Sequence, residues 1–161
     1  MRMRFRHLRR DERGMTFVFV GVGFMAFMAA TTLAIDVGMF MTARSQAQNA
    51  ADAGAHAGAV ALVFNSYDDR SASGPAVQSA LSAAGANKVI HADVSVTPAD
   101  VTFPNGPGGV NNRVKATVYR TTDRNNAVPT LIGPLFGVPI VNIMATATAE
   151  AVPANAATCI K

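Results

Sequence analysis

The chain has 161 residues, half of them hydrophobic, with no tryptophan and a single cysteine. Its formal charge of +4 sits at one end: six Arg against Asp11 and Glu12 in residues 1–13 give 6 − 2 = +4, and the eight basic and eight acidic residues of the remainder cancel. A nucleic-acid partner is therefore excluded, because the folded part has no basic surplus to neutralise phosphates. The lone Cys159 allows neither an intramolecular disulfide nor a paired-cysteine zinc site.

Residues 1–14 read as a basic arm. Met15 to Ile35 come next without a charge, 21 residues in all. At about 1.5 Å per residue this run makes a helix of roughly 31 Å, enough to cross a bilayer core. The arginines before it predict a cytoplasmic N-terminus and place the rest on the far side. The run exceeds the usual apolar core of a signal peptide, and Thr32-Leu33-Ala34 is a loose cleavage match, so a retained anchor is expected. Asp36 reads as an interfacial charge closing the span, where a carboxylate costs far less than at the midplane.

The helix is expected to continue to Phe64, since no proline intervenes and residues 47–62 are half alanine. Arg44, Gln48, Asp52 and His56 form a polar stripe at four-residue spacing. Ala47, Ala50, Gly54, Ala57, Gly58 and Ala61 form a face of small side chains, with Gly54 and Gly58 as a GxxxG that lets a neighbour approach closely. That neighbour is either the chain's own head or another subunit's helix.

Residues 65–161 are predicted to form a small α+β head of antiparallel strands packed on the stem. Asn65 to Ala76 is a loop. Val77 to Ala84 is a short helix with Gly85 as its C-cap. Val89 to Thr97 is a strand ended by Pro98, and Val101 to Phe103 a shorter one. Asn105-Gly106 in the next loop suits a hairpin. Arg113 to Thr121 alternates, with Val114, Ala116 and Val118 on one face and Lys115, Thr117 and Tyr119 on the other. Pro129 to Phe136 suggests a short helix, and Ile140 to Val152 a last strand.

Chemistry is sparse. Asp93, Ser95 and Thr97 form a D-x-S-x-T, a weak echo of adhesion motifs whose carboxylate and hydroxyls hold a magnesium ion. Asp52 and His56 stand one turn apart without a nucleophile near them. His7 falls in the arm and His91 in a strand. Gly21 and Gly23 lie inside the span, where no phosphate loop forms. No enzymatic constellation, cofactor site or small-molecule substrate site is expected.

Arg13-Gly14, the run Ala34-Ile35-Asp36-Val37-Gly38, Arg44, and Gln48-Asn49-Ala50-Ala51-Asp52-Ala53 form one connected pattern. It resembles the N-terminal region of TadG-like proteins of the Tad (tight adherence, Flp) pilus system, and the alternating ATATAEA segment is similar to the family's next stretch of chain. The resemblance implies a protein of the bacterial inner membrane with a periplasmic head. It also implies a minor-pilin-like role beside other Tad/Flp subunits in type IVb pilus assembly. Pilins of this kind are processed after a glycine with glutamate five residues on; Gly14 is present, but Phe19 takes the glutamate's place, so processing is expected to be poor. Longer members carry a von Willebrand A-like domain. A membrane-tethered or secreted adhesion protein with that region reduced is the alternative, and the ending AATCIK reads as that of a short or truncated member.

Overall fold

A computed structural model describes residues 12–106 and 109–151. The basic arm up to Asp11, and Cys159 with the C-terminal segment from Val152, lie outside the described residues. The chain is α+β and divides into two compact units after Ile35.

Helix α1 runs over Glu12–Phe64 without interruption. Alanine and straight-chain residues favour it, and its threonines do not disturb it. Thr31 donates its hydroxyl to the Phe27 carbonyl at 2.9 Å, and Thr32 donates to that of Met28 at 2.8 Å. Such back-bonding removes lone hydroxyl donors from an apolar segment. Among the described residues of the first unit the large apolar side chains are bare: Phe17, Phe19, Met25 and Phe27 are all exposed. An exposed apolar helix of this length suits a lipid environment.

The second unit begins at Asp36, inside α1. Its core is a three-stranded antiparallel sheet packed on α1 and on helix α2, Pro75–Gly85. The sheet order is β3 (Val101–Thr102), β4 (Arg113–Arg120), β7 (Ile143–Glu150). β4 and β7 pair over their full lengths, from Arg113 opposite Glu150 to Arg120 opposite Ile143. Period-two alternation turns Val114, Ala116, Val118, Ile143, Ala145 and Ala147 inward. All but Val114 meet Ala43, Ala47, Ala50, Ala51 and Ala55 of α1 in one core cluster. A second cluster joins Ala59 and Leu62 of α1 to Ala76, Val77 and Ala80 of α2 and Val114 of β4. The core is thin because its α1 side is nearly all methyl groups, and close approach takes the place of bulk.

Several local expectations are corrected. Gly85 does not cap α2 but is its last residue; Ala86 caps it, donating its N–H to the Ser82 carbonyl at 3.1 Å. The helix also begins two residues earlier than expected, because Pro75 suits the first turn, where its missing N–H is no loss. The expected strand over residues 89–97 is instead a tight hairpin of β1 (Lys88–Val89) and β2 (Ala92–Asp93), then a single bridge from Ser95 to Tyr119. Its two turn residues, Ile90 and His91, have φ of 47° and 63°. This left-handed pair matches a type I′ turn, a costly conformation for a β-branched residue.

Of residues 129–136 only Gly133–Phe136 are helical, as a 3-10 turn, and Pro129 belongs to a strand. β5 (Val128–Pro129) pairs with β6 (Ile140–Val141), and a 3-10 turn over Gly133–Phe136 forms the tip. Asn142 interrupts the last strand, dividing it into β6 and β7; its side-chain carbonyl accepts the Thr122 N–H at 2.9 Å and the Thr122 hydroxyl at 2.8 Å. β3 and β4 pair antiparallel across the loop that carries Asn105-Gly106.

Candidate functional site

The motif residues of α1 separate into an uncovered part and a built part. Gly14 and Gly38 have open space where a Cβ would stand. Asp36 is different. It is only 4% exposed, and its two carboxylate oxygens accept the backbone N–H groups of Leu131 at 2.8 Å and Ile132 at 3.0 Å. The carboxylate therefore fastens the β5–β6 hairpin to the helix. Two charge-assisted bonds compensate the loss of water around it.

The polar stripe of Arg44, Gln48, Asp52 and His56 is exposed along its length. Gln48 donates to Asp52 Oδ1 at 3.1 Å and reaches the Thr146 carbonyl of β7 at 3.4 Å. Asp52 is thus engaged by Gln48, one turn back. Arg44 lines a groove of about 240 Å³ with Phe40, Val141, Asn142, Ile143 and Met144. Asn49 faces solvent.

The small face is covered by the chain's own head. A Cβ added at Gly54 would stand 3.0 Å from Ala84 Cβ and 3.1 Å from the Ala80 carbonyl oxygen. At Gly58 it would stand 2.7 Å from Val114 Cγ1 and 3.2 Å from the Ala76 carbonyl oxygen. Only glycine lets α2 and β4 come so near. Ala57, placed on this face by spacing, is half-exposed, whereas Ala51, Ala55 and Ala59 are buried.

The D-x-S-x-T residues do separate tasks. Asp93 pairs with Lys88 at 3.5 Å on the surface. Ser95 exchanges backbone bonds with Tyr119, both 2.9 Å. Thr97 donates its hydroxyl to Asp100 Oδ2 at 2.7 Å in a capping box. Among the described residues no three His, Cys, Asp or Glu side chains converge.

Three further side chains, on none of the motifs above, hold the head together. Arg120 is 4% exposed, and its guanidinium donates to the carbonyls of Val89, Ala92 and Asn126. Burial pushes its pKa below the usual arginine value. Gln46 Oε1 accepts the Ile90 N–H at 2.8 Å, so Gln46 and Arg120 together hold the left-handed hairpin turn. Asp100 is buried and pairs with Arg124 at 2.9 Å. The alternation of Val114, Ala116 and Val118 carries on to Arg120, which is the signal that could have found it.

A helix bare and apolar in its first part, small-faced and built into an α+β head in its second, defines a stem-and-head protein whose stem is long and apolar enough to cross a membrane. Residues 14–61, a stretch within α1, match the family described as "Putative Flp pilus-assembly TadE/G-like". The match covers α1 and stops short of the sheet. No curated protein and no solved structure matches the chain. That match supports a role as a Tad pilus component.

Proposed function

We propose that the chain is a minor-pilin-like, membrane-anchored component of the Tad (Flp, type IVb) pilus machinery. Its N-terminal arm lies in the bacterial cytoplasm, residues 15–35 cross the inner membrane, and the head lies in the periplasm. The observation that carries the reading is the TadE/G-like match on a helix whose first part is bare and whose second part is built into a head. The arginines of the arm support the orientation. The small face at Gly54 and Gly58 serves the chain's own head, which leaves Gln48, Asp52 and His56 of the exposed stripe for other subunits. The adhesion alternative has no observation in its favour, since Asp93, Ser95 and Thr97 are engaged apart from one another. Periplasmic and cytoplasmic reporters fused after Lys161 test the orientation, and photo-crosslinkers at Asp52 or His56 test the partners. Periplasmic activity and a crosslink to another Tad subunit are expected; a cytoplasmic C-terminus overturns the proposal.

A further inference from the structure

The tip of the β5–β6 hairpin is the most apolar exposed feature of the second unit. Leu131, Leu135, Phe136, Val138 and Ile140 are 61%, 84%, 70%, 50% and 42% exposed. Five large apolar side chains within residues 131–140, all uncovered, are not a surface that water favours. The tip is also well defined. Thr130 donates its hydroxyl to the Val138 carbonyl at 2.7 Å, and Val138 donates its N–H to the Gly133 carbonyl at 2.8 Å. A Cβ at Gly133 would collide with Thr130 Oγ1 and the Val138 carbonyl oxygen, and Gly137 has φ of 76°. The turn is built to present Leu135 and Phe136 outward.

Its location is set by Asp36, which comes directly after Ile35, the last residue of the uncharged run. Val128, at the hairpin base, shares a core cluster with Ala43 and Ala47. Leu131 and Ile132 are bonded to Asp36, seven residues nearer the N-terminus of α1 than Ala43. The hairpin therefore descends along α1 toward Asp36, and its tip comes last. Beside it, exposed Arg44 and apolar Phe40, Val141 and Met144 share the groove. Arg44 stands eight residues above Asp36, about 12 Å along the helix, within reach of the headgroup zone for a long side chain.

The geometry points to a second membrane contact: the hairpin tip, residues 131–140, inserts into the interfacial layer of the phospholipid bilayer. Asp36 clamps it at that depth, and Arg44 meets headgroup phosphate. The inference rests on the span reading. Its occupant is lipid because the clamp is the first residue after the uncharged run and the nearby cation lies on the headgroup side. The arrangement also accounts for a buried carboxylate at a membrane edge, since an apolar hairpin shields it while two amides satisfy it.

The chain has no tryptophan, so single reporters are clean. Phe136→Trp, Phe27→Trp and Phe64→Trp are each made in the full chain. Each is reconstituted into vesicles of phosphatidylethanolamine and phosphatidylglycerol with brominated acyl chains. Phe27 marks the span. Phe64 is 81% exposed and lies 28 residues above Asp36, about 42 Å along α1. Phe136→Trp is expected to emit to the blue and to be quenched about threefold or more above Phe64→Trp, approaching Phe27→Trp. If Phe27→Trp is quenched and Phe136→Trp behaves as Phe64→Trp, the insertion is overturned while the span stands. Blue emission at position 136 without lipid quenching means a protein covers the tip and also overturns it. If Phe27→Trp itself escapes quenching, the membrane reading fails and the insertion with it.

Discussion

Gly58→Ala tests the close approach on which the head's packing depends. The added Cβ would lie 2.7 Å from Val114 Cγ1, against an ordinary contact of 3.4 Å or more. Val114 is fully buried and β-branched, so its methyl has no free rotamer to retreat into. The Ala76 carbonyl oxygen and Ala80 Cβ, both at 3.2 Å, close the other directions. Overpacking of this kind costs about 1–3 kcal/mol. Against it stands the helix-propensity gain of alanine over glycine, about 1 kcal/mol. The net is destabilisation of roughly 0–2 kcal/mol, and Gly58→Leu should fall well beyond it. Gly85→Ala is the internal control: the same change, also in a helix, with nothing within 4 Å of the new methyl. It should stabilise by up to about 1 kcal/mol. The assay is thermal unfolding of the detergent-solubilised full chain, read by protease susceptibility of the head. A difference of 1 kcal/mol moves the midpoint by roughly 2–8 °C in a unit of this size. The expected order is Gly85→Ala above wild type, wild type at or above Gly58→Ala, and Gly58→Leu lowest. If Gly58→Ala rises as much as Gly85→Ala, the small face is not packed against α2 and β4.

Asp36→Asn should free one of the two hairpin amides, because an amide side chain keeps a single carbonyl oxygen. A cost of about 1–3 kcal/mol is expected locally, with faster hydrogen exchange at Leu131 and Ile132 as the measurement. Arg120→Met leaves the carbonyls of Val89, Ala92 and Asn126 without their donor and loosens the Ile90–His91 turn; the head's melting temperature should fall, by the equivalent of about 1–3 kcal/mol. Glu150 has its pKa lowered by its bond to Arg113, then by Asn112. A depressed carboxylate stabilises above its unfolded value, near 4.5, and loses that contribution as pH falls through the folded one. Acid should therefore loosen the Arg113–Glu150 end of β4 and β7, and Arg113→Gln should flatten that dependence in a melting series from about pH 6 to about pH 3.

The long-period features were legible from the residues alone. An uncharged run of bilayer length, an alanine-rich stem and the alternation in Arg113 to Tyr119 each arise from a pattern repeated over several turns or pairs. The illegible features depend on single long-range contacts. Propensity favours an extended strand through Val89, Ile90 and His91. The fold instead turns the chain there, because Gln46 and Arg120, remote in sequence, accept and donate at the bend. Asp36 reads locally as an edge charge, yet its partners lie 95 and 96 residues away. Pro129 to Phe136 has the composition of a short helix, but Gly133 and Gly137 make it a turn tip whose apolar side chains face outward.

We propose that this stem and head serve Tad pilus assembly, and the number of surface pili reads that role. A strain lacking the protein should lose its Flp pili, and the full chain should restore them. A chain carrying Gly58→Leu should be inserted in the membrane yet fail to restore them. Normal piliation in the strain without the protein would mean that it has no part in pilus assembly.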